Sequence, residues 1–202
     1  MNPFAQGGWY NPGNPNSVNE GRWSPHSPAQ PSMFGALPFA QAGSPQEFHS
    51  FTFSLRPSIL SSTVTGPRDK MYIAVVTDNP KPGFTLLHLA EGKAFGVIQW
   101  AQRTIIEVRD IVRKQFASDF LKLSDDGTSR IMEARGKTYA WVPKSDFICL
   151  YTYGSTTPEL MARVSKGQGI VTLEMSTRAL QIGLLEVATM ATVLMLSGRS
   201  LK

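Results

Sequence analysis

The segment from Thr177 to Ser197, TRALQIGLLEVATMATVLMLS, constrains the fold more than any other feature of the sequence. Alanine, leucine and methionine favour a helix, Ser176 or Thr177 can cap its start, and Gly198 can end it. On a helical wheel the few polar residues share their sector with large apolar ones, so nearly the whole surface is apolar. A helix of this kind, predicted at about 178–197, must be buried in protein or in lipid.

Both environments are considered for this helix. Its uninterrupted apolar stretch runs from Val187 to Leu196, and extending it back to Ile182 brings in Glu186. A membrane span needs about 20 residues, and a charged side chain at its centre costs about 2.5–3.5 kcal/mol on insertion. Both arguments favour a helix buried inside a shell of strands. The alternative is a C-terminal tail anchor.

The residues between Phe48 and Ser176 carry the pattern of β-strands joined by short turns. In the first run Phe51, Phe53 and Leu55 share one face, because side chains alternate along a strand. Strands without intervening helices predict a mainly β fold, an antiparallel barrel or sandwich. The predicted strands lie at 48–55, 71–76, 84–90, 94–100, 104–112, 114–123, 129–134, 137–142, 146–153, 159–165 and 170–176.

Residues 1–47 differ in composition from the rest of the chain. They hold eight of the 14 prolines and only three charged residues. Proline removes backbone donors and polar segments of this kind bury little apolar surface, so we expect a disordered tail. Its PxxP spacings at 12–15, 25–28 and 28–31 suggest a protein partner with a proline-binding domain.

The chain is moderately basic, with 20 Lys and Arg against 15 Asp and Glu, a net charge of +5. The basic residues are scattered and no helix-groove or RNA-stacking motif is present, so no nucleic-acid partner is expected. Arg109 and Arg113 should share a face of the strand predicted around them, because their separation is even. The candidate residues for binding an anion or anionic lipid are Arg109, Arg113, Lys114, Lys144 and Arg163.

No motif in the sequence predicts catalysis, a cofactor or a metal site. Cys149 is the single cysteine, which excludes an internal disulfide or a cysteine zinc cluster and favours an intracellular location. The Gly136-Lys137-Thr138 tripeptide lacks the earlier glycine of a phosphate-binding loop, since Ile131 stands there. The adjacent Asp125-Asp126 pair is typical of a solvated turn. We therefore expect a non-enzymatic protein with no metal ligands.

Six features between residues 48 and 197 recur together in a known group of proteins: the opening strand with Phe51 and Phe53, MYIAVVT at 71–77, FTLLHL at 84–89, VIQW at 97–100, RGKTYAW at 135–141 and LQIGLLEVATMATVLML at 180–196. With these features the chain resembles an uncharacterised fungal family related to the tubby-like superfamily, which includes LURP-one-related proteins and phospholipid scramblases. The resemblance covers about three quarters of the chain and implies an antiparallel tubby-like β-barrel (48–202) that encloses the C-terminal helix.

The resemblance implies a role at lipid surfaces. Tubby proteins bind phosphoinositides through basic side chains, although no motif position here matches theirs, and the calcium segment described for scramblases has no counterpart in oxygen-ligand spacing. The expected function is a non-enzymatic binding module that docks on anionic membrane lipid through a basic face, with the tail as adaptor. Its expected location is cytoplasmic or peripheral to a membrane. The alternative is a membrane-integral protein with a C-terminal tail anchor or a scramblase-like lipid role.

Overall fold

The computed structural model describes residues 46–77 and 83–201, so the predicted tail lies outside the described residues apart from its last two. Within these ranges the protein is mainly β, as predicted, with a 3-10 turn at Pro67–Asp69 and three short α-helices, α1 (Ala117–Phe120), α2 (Thr177–Gln181) and α3 (Leu185–Leu196). The thirteen strands are β1 (Phe48–Leu55), β2 (Ser62–Thr65), β3 (Met71–Thr77), β4 (Phe84–Leu89), β5 (Ala94–Gln99), β6 (Ile105–Val108), β7 (Val112–Phe116), β8 (Lys122–Leu123), β9 (Arg130–Ala134), β10 (Lys137–Lys144), β11 (Phe147–Thr152), β12 (Leu160–Lys166) and β13 (Ile170–Ser176).

The strands form one antiparallel sheet in the order β7-β6-β5-β4-β3-β2-β1-β13-β12-β11-β10-β9-β8. Successive strands are therefore neighbours throughout, except at the step from β7 to β8. The first and last strands pair in the middle of the sheet, with Phe51 opposite Leu173 and Phe53 opposite Val171. This pairing joins the two halves of the chain into one sheet.

The two edges of the sheet, β7 and β8, are consecutive in sequence but are not paired with each other in the described residues. The short helix α1 lies between them and contacts β6 and β7 on one side and β8 and β9 on the other. The predicted barrel is therefore not closed by hydrogen bonds, although α1 contacts both edges.

Helix α3 is buried on all sides over most of its length. Eight consecutive residues, Val187 to Leu194, are buried, and they include the polar Thr189 and Thr192. The helix contacts β5, β6 and β13, which belong to both halves of the sheet. On β5, a Cβ atom added to Gly96 would lie 2.8 Å from Cε of Met190, so this strand approaches the helix closely.

The prediction of one continuous helix at 178–197 is wrong, because the helix is interrupted between α2 and α3. Gly183 has a φ of 73°, a left-handed conformation that interrupts an α-helix and favours glycine. The predicted caps are confirmed, since the Ser176 side chain accepts a hydrogen bond from the Ala179 amide at 3.2 Å and Gly198 follows α3 with a φ of 70°. No helix in the described residues is long and apolar enough to cross a membrane.

Two predicted strands, 104–112 and 114–123, are also wrong. The first is interrupted by a hairpin turn after β6, where Asp110 has a φ of 61° and the Ile111 amide donates to the Val108 carbonyl at 3.1 Å. The second ends at Phe116, where α1 begins. Aspartate tolerates the left-handed conformation better than most residues, so the turn forms without glycine or proline.

Candidate functional site

The structure does not bring the five predicted anion-binding residues together. Arg109 lies in the turn between β6 and β7, whereas Arg113 and Lys114 lie on β7, so Arg109 and Arg113 do not share a strand face as predicted. Arg113 and Lys114 lie together at a β-bulge, opposite the single residue Glu107 of β6, and both are exposed. Lys144 ends β10 and Arg163 lies within β12, in the other half of the sheet.

Arg163 forms an ion pair within the protein. Its Nε and Nη2 atoms donate to the two carboxylate oxygens of Glu174 on β13 at 2.5 and 3.1 Å. The guanidinium also lies over the rings of Phe48 and Phe147, 5.4 and 5.2 Å from their centroids. Hydrogen bonding to Glu174 raises the pKa of Arg163 above its usual value. Because Glu174 balances its charge, Arg163 is not free to hold an external anion.

Lys144 is exposed, and its ammonium lies 5.2 Å from the ring centroid of Tyr151. A hydrogen bond to Tyr151 raises the pKa of this lysine, so it stays protonated at neutral pH. It shares a shallow pocket with Lys166 and with Leu196, the last residue of α3. Of the five predicted anion-binding residues, Lys144 is therefore the one that lies near the C-terminal end of α3.

A larger cleft, here called the α3 cleft, opens at that same end of α3. It lies between the β8–β9 hairpin, β10, β11 and the segment that follows the helix, and its volume is about 740 Å³. Its walls are mainly apolar. It is lined by Ser118, Lys122, Leu123, Gly127, Thr128, Ser129, Arg130, Trp141, Pro143, Ile148, Leu194, Met195, Arg199, Ser200 and Leu201.

Three cations, Lys122, Arg130 and Arg199, line the α3 cleft and are called here its basic rim. Arg130 donates to the Leu121 carbonyl at 3.0 Å, and Arg199 lies 4.6 Å from the ring centroid of Trp100. None of the described residues that line the cleft is acidic. Apolar walls with cations that form no ion pair among the described residues make a surface that is complementary to an anion with a hydrocarbon part.

The turn between β8 and β9 forms one wall of the cleft and is held by hydrogen bonds to Asp126. Ser124 Oγ donates to the carboxylate at 2.6 Å, and the backbone amide and hydroxyl of Thr128 donate at 3.1 and 2.7 Å. These bonds, that of Ser124 first, lower the pKa of Asp126 from 3.8 to about 2. The turn at Asp125-Asp126 is therefore exposed to solvent, as predicted, and is also held in place by hydrogen bonds.

Asp126 should titrate near pH 2 in the folded protein, in a carboxyl-carbon NMR titration. Because its folded pKa lies below the ordinary 3.8, ionised Asp126 stabilises the turn above pH 3.8, and this contribution is lost as the pH falls through about 2. The variant Ser124→Ala removes the largest cause and should move the midpoint towards 3.8. A wild-type midpoint at the ordinary value would contradict the hydrogen-bonded turn.

The titratable side chains that could carry nucleophilic chemistry are separate from the cleft. Cys149 is buried in β11, between its ladder partners Val142 and Arg163. Nδ1 of His88 donates to the Gly92 carbonyl at 3.1 Å, within the β4–β5 hairpin. In the described residues no three His, Cys, Asp or Glu side chains are grouped so that they could hold a metal ion.

Three buried polar atoms have no hydrogen-bond partner among the described residues: the Tyr139 hydroxyl, Nε1 of Trp141 and the Thr189 hydroxyl. Burial raises the pKa of Tyr139, which keeps its phenol neutral. Tyr139 and Trp141 are two residues apart on β10 and therefore share its inner face, and Trp141 also lines the α3 cleft. Both aromatic side chains belong to the core.

The residues of the basic rim did not stand out in the sequence. They are separated by up to 77 positions, from Lys122 to Arg199, and none belongs to a charge run. Only the folding of the β8–β9 hairpin against the end of α3 brings them to one cleft. A weak signal is the placement of Lys122 between Leu121 and Leu123, and of Arg199 two positions before Leu201.

Comparison with known proteins gives one distant structural likeness. The chain matches no protein-family model and no curated protein. A protein from Arabidopsis thaliana, solved by X-ray crystallography, is similar over 74% of this chain and 88% of its own, with 8% sequence identity and a TM-score of 0.39. At this level of similarity, function has to be argued from the site itself.

Proposed function

We propose that the protein is a non-enzymatic binding module that docks on anionic membrane lipid through the end of the domain where α3 terminates. The observation that carries this proposal is the α3 cleft, with three cations at its rim and no acidic residue among its described lining residues. The tail at residues 1–47 is proposed as an adaptor for a protein partner, on the basis of its PxxP spacings.

The physical basis of docking is the attraction between this basic end and an anionic surface. Lys122 and Arg199 are exposed, so their charges can approach lipid phosphates without first being freed from a buried ion pair. Lys144 and Lys166 lie close to the same end of α3 and add to the positive field. Such attraction is screened beyond roughly 8–10 Å at physiological ionic strength, so binding should weaken as salt is added.

We further propose that the sheet wraps around α3 as a tubby-like barrel. Three observations support it: the buried residues from Val187 to Leu194, the contacts of α3 with β5, β6 and β13, and the contacts of α1 with both edges of the sheet. In that arrangement α3 forms the centre of the core, and the α3 cleft is the open end of the barrel. Docking would then need no insertion of α3 into the bilayer.

The test is co-sedimentation of the full chain with vesicles of phosphatidylcholine and phosphatidylserine, against vesicles of phosphatidylcholine alone. The double variant Lys122→Glu, Arg199→Glu should bind the anionic vesicles at least about 30-fold more weakly, since each basic residue near the surface contributes about 1 kcal/mol and the glutamates add repulsion. The matched control is Arg109→Glu, Arg113→Glu, which changes the net charge equally at exposed positions that do not line the cleft.

The two variants distinguish a defined docking end from a diffuse charge effect. A loss confined to the Lys122 and Arg199 variant supports the proposal. Equal losses in both would mean that net charge alone drives binding, and a loss confined to the Arg109 and Arg113 variant would place docking at β7. Either of these results would overturn the assignment to the α3 cleft.

A further inference from the structure

We infer that the α3 cleft binds a single-chain fatty carboxylate, with its acyl chain on the apolar walls and its carboxylate at the basic rim. This inference deepens the proposed function and rests on it, because it uses the same end of the domain. It goes further in naming a monomeric ligand that leaves the bilayer and enters the protein.

The apolar walls provide the site for the chain. Leu194 and Met195 belong to the last turn of α3, and Ile148, Trp141 and Leu201 complete an apolar lining around them. The cleft volume of about 740 Å³ lies within the range of about 300–1,000 Å³ that is usual for small-molecule sites. A hydrocarbon chain placed here is removed from water, which is the main source of affinity for such ligands.

The basic rim provides the site for the carboxylate. Lys122 is exposed at the edge of the cleft beside the apolar Leu123, and Arg199 follows the end of α3. Guanidinium and ammonium groups form charge-assisted hydrogen bonds with carboxylates, which are stronger than those between neutral groups. Since no acidic residue lines the cleft in the described residues, an anion here meets no repulsion from the lining.

The cleft suits one chain that ends in a small anion. Trp141 and Leu194, at 1% and 0% exposure, form the floor of the cleft, and the more exposed apolar side chains on its walls are those of Leu123, Pro143 and Met195. The cations lie on separate segments that line the cleft. They do not form a continuous row that could contact successive units of a peptide or a nucleic acid. The charge and the apolar surface together therefore favour a fatty carboxylate over a peptide or a nucleic acid.

The direct test is titration calorimetry of the full chain with dodecanoate, kept below its micelle concentration. Butanoate supplies the same carboxylate with a short chain, and dodecanol supplies the chain without the charge. Dodecanoate should bind one molecule per chain. Butanoate should bind at least about a hundredfold more weakly because it lacks eight methylenes, and dodecanol at least about tenfold more weakly because it lacks the ionic contacts.

Variants at exposed positions localise the binding without disturbing the core. Leu123 lines the cleft and is 52% exposed, so Leu123→Asp should keep the fold and weaken dodecanoate binding at least about tenfold, through a carboxylate in the apolar wall. The matched control is Ile170→Asp, at a residue that is 44% exposed and does not line the cleft. Circular dichroism melts of both variants confirm that the fold is retained.

Each outcome decides the inference. Weaker binding in Leu123→Asp alone supports it, whereas equal binding of dodecanol or butanoate, or an equal loss in Ile170→Asp, overturns it. Sedimentation with anionic vesicles but no dodecanoate binding would overturn the monomeric ligand and leave the docking function in place. Dodecanoate binding with no vesicle binding would support the cleft as a ligand site and overturn docking on membranes.

Discussion

Replacing Ala191 by aspartate should abolish the cooperative folding of the domain. Ala191 lies in the middle of α3 and is fully buried, and the residues on either side of it, Met190 and Thr192, are buried too. α3 has no basic residue in its last turn that could pair with the new carboxylate. The effective penalty for a buried, unpaired ion is several kcal/mol, against a total stability of about 5–15 kcal/mol for a typical domain.

Thermal unfolding followed by circular dichroism or calorimetry measures this effect. The matched control is Ala101→Asp, the same chemical change at an exposed position in the connection between β5 and β6, which should melt close to the wild type. Surface substitutions of this kind usually change stability by about 0.5 kcal/mol or less. A wild-type melt for Ala191→Asp would contradict the burial of α3 in the folded protein.

The same experiment separates the two environments considered for the C-terminal helix. If α3 is part of the core, the strands depend on it, because Val187 to Leu194 fill the space between β5, β6 and β13. If α3 instead served as a tail anchor, the strands would fold without it and tolerate a charge at Ala191. A membrane anchor therefore predicts equal melting of the two aspartate variants, and a central core helix predicts a large difference.

Most strands could be predicted because their pattern is local. In β1, Phe51 and Phe53 alternate with the partly exposed Thr52, and this period of two places both rings in the core. The hairpin between β9 and β10 could also be predicted, because glycine at such a turn is a strong signal. In the structure Arg135 and Gly136 have the positive φ values that the turn needs, 53° and 70°. The boundaries of β1 and β13 agree with the predicted ones.

The errors arose where the local pattern is ambiguous. The short strand β2, whose sequence is STVT, was missed because four residues with two threonines carry little hydrophobic signal. Helix α1 is a single turn inside an apparently alternating run, and it contacts both edges of the sheet, which a local pattern does not show. The break at Gly183 was hidden by the apolar residues around it, which favour a helix on both sides.

The candidate site could not be predicted for a different reason. The prediction from charge alone included Arg163, although the structure shows that this residue forms an ion pair with Glu174. The same prediction did not include Lys122 and Arg199, which line the α3 cleft. Whether a cation is free or paired depends on which strands are neighbours, here β12 and β13. The sequence shows how many cations there are, but the register of the sheet decides which of them keep an unbalanced charge.

We expect the ring of Trp141, rather than its indole N–H, to stabilise the fold. Trp141 is 1% exposed and its Nε1 has no hydrogen-bond partner among the described residues. Trp141→Ala should lower the free energy of unfolding by about 3–5 kcal/mol, because it removes a large core side chain and leaves a cavity. Each kcal/mol corresponds to roughly 2–4 °C of melting temperature for a domain of about this size.

Trp141→Phe should cost much less, about 1 kcal/mol or below, because it keeps an aromatic ring and removes a donor that is buried without a partner. The same change at Trp100 is the control, since Nε1 of Trp100 donates to the buried Thr85 hydroxyl at 2.8 Å. Trp100→Phe therefore loses a hydrogen bond that Trp141→Phe does not. Chemical denaturation measures all three variants, and equal costs for Trp141→Phe and Trp141→Ala would contradict the unpartnered N–H.

Because Trp141 lies in both the core and the α3 cleft, its variants also separate stability from binding. Trp141→Phe keeps an apolar wall against Leu194, so dodecanoate should bind it with nearly wild-type affinity. Trp141→Ala should still fold, since its cost is smaller than the stability of many domains, but it enlarges the cleft at its inner wall. A ligand chain that packs against Trp141 should then bind more weakly, and unchanged binding in Trp141→Ala would mean that the chain does not reach this wall.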